Sequence, residues 1–236
     1  MSEQRIALVT GANRGLGLET ARLLARQGIH VIATARDAQK CQELLGKLDM
    51  EGFSVSSFAY EAADPDSAHA LLAYVQKTYG RLDILVNNAG IAPDLWKPSI
   101  DLTTEVFHEI MTVNVYGPLL LTQLFLPMMQ QQDYGRIVNL SSEIGSLTKI
   151  EMGSSLGYRT SKTALNSVTR TLASDLKDYP NIKINSAAPG WCITDMGGPD
   201  AHRTAEEGAD TVVWLATLDD DAASGGFYRD RAIYPW

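Results

Sequence analysis

The sequence predicts an α/β fold: one doubly wound parallel sheet of about seven strands with helices on both faces. Three observations carry this. Short apolar runs without internal alternation recur along the chain, as strands buried on both faces require. Stretches with helical apolar spacing separate them, and such alternation gives parallel neighbours joined by crossover helices. The first apolar run, 5–9 (RIALV), leads directly into a glycine-rich turn, Thr10 to Gly17 (TGANRGLG).

The elements follow in order. After the turn, 16–27 (LGLETARLLARQ) has helical periodicity, and Gly28 stops it. Residues 30–34 (HVIAT) make a second strand and 37–48 a second helix. Phe53 to Phe58 is the third strand, with Pro65 near the start of a helix reaching Thr78. The fourth strand, 82–86 (LDILV), ends at Asn87-Asn88-Ala89-Gly90. Helices from Thr103 to Asn114 and from Pro118 to Gln131 precede strand five, 136–140 (RIVNL). A helix carrying Tyr158 and ending near Lys177 leads to strand six, 182–187 (IKINSA). A loop with Pro189-Gly190, a helix at 204–217, a last strand at 225–229 and a short Pro235-Trp236 tail complete the chain.

No linker, charge block, composition shift or repeat divides these elements, so residues 1–236 read as a single domain. Three loops, 91–102, 143–157 and 191–203, should follow C-terminal strand ends, where substrates bind in such folds. The longest, 143–157 (EIGSLTKIEMGSSLG), is rich in Gly and Ser and is expected to be mobile. The formal charge of -8 argues against nucleic acid or an anionic membrane as partner. The oily run 116–129 is too short to span a bilayer and reads as a buried helix. Cys41 and Cys192 form no disulfide framework, and no Cys/His cluster has metal-ligand spacing. The first strand begins within five residues of Met1, leaving no room for a signal peptide, so a cytoplasmic protein with reduced thiols is expected.

Two places carry chemistry. Gly11, Gly15 and Gly17, with Asn13, Arg14 and Leu16 between them, lie where a buried strand turns into a helix. That geometry aims backbone N–H groups and the positive helix end at one spot, an anion site. The spacing is Gly-x3-Gly-x-Gly rather than the commoner Gly-x-Gly-x-x-Gly. Arg36 ends the second strand, where an arginine accommodates a ribose 2'-phosphate and an acid would hold a 2'-hydroxyl. Arg14 could reach the same phosphate, so NADP(H) is favoured over NAD, and Asp37 reads as a cap of the following helix. The second place is Tyr158 and Lys162, four residues apart and so one turn above each other on a helix. A phenol near pKa ~10 must fall by roughly 3 units, about 4 kcal/mol, to exchange protons near neutrality. An ammonium about 5 Å away contributes roughly 3 kcal/mol of that, which makes the pair an acid/base unit by expectation.

With these residues in hand, the chain resembles the short-chain dehydrogenases/reductases over essentially its whole length. Thr10–Gly17, Asn87–Gly90, Asn114, Ser141-Ser142, Tyr158/Lys162 and Pro189-Gly190 with Thr194 occur in that family's order. Thr34-Ala35-Arg36-Asp37 and Glu206-Glu207-Gly208-Ala209 with Phe227 are similar to its carbonyl reductase-like branch. The resemblance implies a Rossmann-type fold and reduction of a small carbonyl substrate. In it Tyr158 would be the general acid, Lys162 would lower its pKa and hold the nicotinamide ribose, and Ser142 would bind the substrate carbonyl. Ser141 is a rival for that last role. Asn114 would hold a water linking Lys162 to solvent. Asn87, Ala89 and Gly90 would line the adenosine side, and Cys192 and Thr194, beyond Pro189 and Gly190, would fix the carboxamide. Glu61 stands where relatives usually carry an adenine-binding Asp, and the Ala62 backbone could serve instead. A homodimer or homotetramer formed through helices 103–131 and 158–177 is implied for many relatives, with a monomer still open. Oxidation of a steroid- or sugar-type secondary alcohol, and NADP(H) binding without turnover, are the alternatives.

His30, His69, His108 and His202 have no partner at catalytic spacing and read as ordinary packing. Trp96, Met152, Trp191 and Met196 either line the pocket or pack their own loops, and Trp236 could cover a pocket or a neighbouring subunit.

Overall fold

The computed structural model describes residues 4–49 and 51–236. Eight strands form one sheet: β1 (Ile6–Val9), β2 (His30–Ala35), β3 (Val55–Ala59), β4 (Ile84–Asn87), β5 (Gly135–Leu140), β6 (Ile182–Ala187), β7 (Phe227–Arg229) and β8 (Ala232–Ile233). Their order is β3-β2-β1-β4-β5-β6-β7-β8. The first seven run parallel; β8 pairs antiparallel with β7. The eighth strand is the addition to the seven expected. It returns through Asp230 and Arg231, both left-handed (φ 51 and 58), a hairpin geometry that this residue pair does not advertise.

Helices α1 (Gly15–Arg26), α2 (Ala38–Asp49) and α7 (Ala205–Ala216) cover one face of the sheet, burying Leu24, Leu44 and Val212 against it. On the other face, α3 (Pro65–Thr78), α5 (Gly117–Gln131) and α6 (Leu156–Asp175) contribute Leu71, Phe125 and Leu172. Each fully buried side chain of this kind adds roughly 1.5–3 kcal/mol. The order of strands reverses between β1 and β4, so the turn after β1 and the Asn87–Gly90 segment after β4 meet at the switch point.

The two helices expected at 103–114 and 118–131 are joined. Helix α4 (Thr104–Met111) continues through a π-turn, Thr112–Tyr116, into α5. Pro118 has no N–H to offer the Asn114 carbonyl, and the chain instead takes up one extra residue, with the Gly117 N–H donating to Thr112 O. The resulting 28-residue rod is long and apolar enough to cross a bilayer, which overturns the length argument made from 116–129. Its apolar side is nonetheless spent within the fold, where Leu121, Phe125 and Met129 pack with Leu71 and Val75.

The 143–157 loop is more ordered than its composition suggests. It holds two single-turn 3-10 helices, Glu143–Gly145 and Leu147–Lys149. Thr163 Oγ1 donates to Gly145 O (2.9 Å), Thr148 Oγ1 to Trp236 O (2.7 Å), and Glu143 pairs with Arg229. Residues 147–153 form its exposed outer part. Trp236 stacks on Phe227 at 5.5 Å between ring centres, so it covers its own fold.

Candidate active site

The glycine turn is built so that its backbone can come close to something. Gly11 (φ 63) and Gly15 (φ 54) are left-handed. A β-carbon on Gly11 would lie 3.1 Å from Ala89 Cα, so any other residue would be strained and crowded. No side chain caps the Arg14 end of α1, and its first turn holds no acid, leaving the helix N-terminus open to an anion. Asn88, a residue to which the sequence reading gave no role, fixes the turn: its amide donates to Thr10 O (2.7 Å) and Gly11 O (3.2 Å). The turn also meets the loop after β6, with the Thr194 methyl 3.2 Å from where a Gly15 β-carbon would lie. Leu16 packs at the tight Gly208–Cys192 contact beside it. The Thr194 hydroxyl accepts the Gly197 N–H (3.0 Å) and donates to Cys192 O (3.4 Å), which shapes the turn beyond Pro189 and the left-handed Gly190.

At the phosphate edge, Arg36 is exposed at the end of β2 and makes no ion pair among the described residues. Arg14 is not free in the same way, since its guanidinium pairs with Asp195 across the mouth of the turn. In this conformation the Arg14 guanidinium is committed to Asp195. Lys47, unremarked in the sequence, reaches Asn13 O at 3.3 Å. Asp37 accepts the Lys40 N–H (2.9 Å) at the start of α2, as a capping residue does.

Two expected lining residues face elsewhere. Asn87 is 2% exposed, and its amide donates to Asn139 Oδ1 (2.9 Å) inside the sheet. A strand-end side chain alternates faces, and that of Asn87 points inward. The Glu61 carboxylate turns back to the Ala63 N–H (3.3 Å), and the Ala62 carbonyl lies 2.8 Å from where a Gly117 β-carbon would be.

Tyr158 sits in the first turn of α6 and Lys162 one turn further on. Lys162 is buried, donates to Leu140 O (2.7 Å), and stands 5.4 Å from the centre of the Tyr158 ring. Burial pushes the phenol up to about 12, opposed by a hydrogen bond with Ser142. Burial also pulls the Lys162 ammonium down to about 8. At the phenol, burial outweighs the lowering by its hydrogen-bonding neighbour, and the Lys162 ammonium gives one of its protons to a main-chain carbonyl. Between the two serines, Ser142 is the one at the phenol, while Ser141 is buried and donates to Lys162 O (3.4 Å).

Asn114 lies in the π-turn, fully buried. Its Oδ1 accepts the Ile91 N–H (2.8 Å), and its amide donates to Ile91 O (2.9 Å) and Ser161 Oγ (3.0 Å). Gly90 separates it from Lys162: a β-carbon there would be 3.3 Å from Asn114 Oδ1 and 3.5 Å from Lys162 Nζ. Both polar groups therefore face one spot. Trp96 and Trp191 meet edge to face at 6.2 Å, joining the 91–102 and 191–203 loops with both rings partly exposed, and His202 meets Trp191 at 5.8 Å. His30 is held by Ser54, Ser56 and Tyr79 as ordinary packing. One further residue escaped the sequence reading. Asp94, 3% exposed, accepts the Gly157 N–H at 2.7 Å from 63 residues away.

A model of the family described as short chain dehydrogenase matches residues 5–216. Carbonyl reductase (NADPH) 1 of Mus musculus is 32% identical over 280 aligned positions, covering 100% of this chain and 99% of that protein. Short-chain dehydrogenase/reductase 1 of Saponaria officinalis is 32% identical over 297 positions, covering 100% and 97%. Among solved structures, the NADPH-bound carbonyl reductase from chicken fatty liver superposes with a TM-score of 0.88 at 34% identity, covering 99% of this chain and 100% of that one. The match runs from β1 to the end of α7 and takes in both the glycine turn and the Tyr158–Lys162 helix, so the chain belongs to the short-chain dehydrogenase family.

Proposed function

We propose that the protein is an NADPH-dependent reductase that converts a small ketone or aldehyde to an alcohol, with Tyr158 as proton donor. The observation that carries this reading is the meeting of the buried Tyr158 phenol with Ser142 on one side and with Lys162, 5.4 Å from the ring centre, on the other. Burial keeps the phenol protonated at neutral pH, so a proton is in place for the oxygen that gains charge during reduction. An alkoxide is more basic than a phenolate and removes the proton readily. Ser142 donates to the substrate oxygen as charge builds on it, from a fixed position that costs no reorganisation.

The donor set fits a dinucleotide. The N–H groups around Asn13, Gly15, Leu16 and Gly17 suit a pyrophosphate at an uncapped helix end, and Gly11, whose N–H is bonded to Thr34 Oγ1, leaves the space for it. Arg36 suits the 2'-phosphate. Arg14 joins it by leaving Asp195, an exposed pair of the kind worth about 0–1 kcal/mol. The main chain of Glu61 and Ala62, with Ala89 and Gly90, borders the adenosine side, and the main chain around Cys192 with Thr194 borders the carboxamide. The Mus musculus relative and the chicken structure both carry NADPH in their names. When bound, the dinucleotide supplies the hydride. Lys162 holds the ribose and Asn114 anchors the water that returns a proton to Tyr158.

Tyr158→Phe keeps the ring and removes only the proton. Turnover of benzil, a vicinal dicarbonyl, should fall by about 10²–10⁴-fold with NADPH binding retained, followed as NADPH absorbance and by fluorescence titration. Wild-type turnover in that variant would remove Tyr158 from the reaction.

A further inference from the structure

The segment after β4 grips the main chain of Tyr158 on both sides. Helix α6 begins without a side-chain cap of its own, because Ser155 at its N-cap is left-handed (φ 54). The first-turn N–H groups of a helix need acceptors, and here they find the Asp94 carboxylate. It accepts the Gly157 N–H at 2.7 Å and the Tyr158 N–H at 3.3 and 3.4 Å. The carboxylate is 3% exposed and has no ion-pair partner among the described residues, so the two N–H groups and the positive helix end balance its charge. Gly157 permits the approach: a β-carbon there would lie 3.1 Å from Asp94 Oδ2 and 2.8 Å from Ile110 Cδ1.

The carbonyl side of Tyr158 is held from the same loop. Ser161 Oγ donates to Tyr158 O (2.8 Å) and accepts from the Asn114 amide, which bonds both main-chain groups of Ile91. Ile91, Asn114, Ser161, Tyr158 and Asp94 thus form a hydrogen-bonded circuit closed by the chain from 91 to 94. A second tie doubles it: the Trp96 N–H donates to Ser155 Oγ (2.8 Å) and the Ser155 N–H to Lys97 O (3.1 Å). The left-handed backbone of Trp96 (φ 64) persists under these constraints.

We infer that Asp94 is a positioning residue for the reductase reaction, holding Tyr158 at its proton-transfer distance by capping α6 from the loop after β4. The inference rests on Tyr158 being the proton donor. Displacement of a reacting group by about 1 Å costs on the order of 10²-fold. Asp94→Ala should therefore lower kcat for benzil reduction by about 10- to 100-fold with the NADPH dissociation constant unchanged, and should raise the deuterium isotope effect with NADPD as chemistry becomes limiting. Asp94→Asn keeps an oxygen acceptor at the same place and should restore kcat to within about threefold of wild type. Ser155→Ala, run in parallel, removes the acceptor for Trp96, together with a longer contact to Ser154 Oγ, and should lower kcat in the same direction by less. Wild-type kcat and isotope effect in Asp94→Ala, or in Ser155→Ala should the first variant not fold, overturns the inference. Equal loss of kcat and NADPH affinity also overturns it, since that is general unfolding of the site. Tyr158→Phe in the same assay separates the two ideas. An inactive Tyr158→Phe beside a normal Asp94→Ala sinks only the cap, whereas an active Tyr158→Phe sinks the reductase reading itself.

Discussion

Burial acts on Tyr158 and Lys162 in opposite senses and leaves both neutral over much of the alkaline range. The phenol keeps its proton up to about 12, and the ammonium loses one from about 8 instead of its ordinary 10.5. The charged lysine is the form that can hold a ribose hydroxyl and restore a proton to the phenol. Its population therefore falls tenfold per pH unit above the shifted value, and kcat/KM for NADPH, which reports the free enzyme, should decline from about pH 8 upward. Below that pH it should be level with respect to this group. A profile measured from pH 6 to 10 checks this, with Lys162→Met expected to give low activity and no break. A wild-type profile level to pH 10 would mean that Lys162 does not titrate where its burial puts it.

At the scale of elements, the strands were legible because burial on both faces leaves little choice of residue. The run 182–187 is β6 to the residue, and Pro65 opens α3 where its missing N–H does no harm. Three features were not legible. The π-turn keeps the helical direction, so Asn114 and Pro118 read as the end of one helix and the start of another. The Asp94 cap joins positions 63 apart, beyond the reach of any local pattern. The Arg14–Asp195 pair depends on where the loop after β6 folds, which residue type does not encode. Arg36 is the opposite case, because the end of β2 fixes its place beside the turn and its exposed guanidinium stays unpaired among the described residues. Arg36→Asp replaces a charge-assisted contact with repulsion toward a 2'-phosphate. The NADPH:NADH ratio of kcat/KM should drop by about 10- to 100-fold, from a loss of roughly 1.5–3 kcal/mol. An unchanged ratio would remove Arg36 from cofactor choice.

The whole molecule divides its labour between the two ends of the sheet. The C-terminal end carries the glycine turn, Ser142 and the clamp on Tyr158. The opposite end is closed by Arg136, a fully buried arginine at the start of β5. It donates to Leu218 O (2.8 Å), Asn181 O (2.6 Å) and Asp220 Oδ1 (2.5 Å), and its guanidinium lies 4.3 Å from the centre of the Tyr134 ring. One side chain thereby joins β5, the entry to β6 and the segment after α7. Arg136→Met keeps much of the alkyl volume but removes the donor from the carbonyls of Leu218, Gly135 and Asn181, of which Asn181 O keeps the Gly135 N–H, while Asp220, largely exposed, can return to water. The cost should be about 3 kcal/mol, which lowers the melting temperature of a chain this size by roughly 6–12 °C. Arg136 lies four residues before Leu140, roughly 13 Å along the strand from the carbonyl that holds Lys162. Turnover measured well below the melt should therefore match wild type. A melting shift under about 2 °C would show that the arginine adds little to the fold, and a loss of turnover in the folded variant would show that the two ends are not independent.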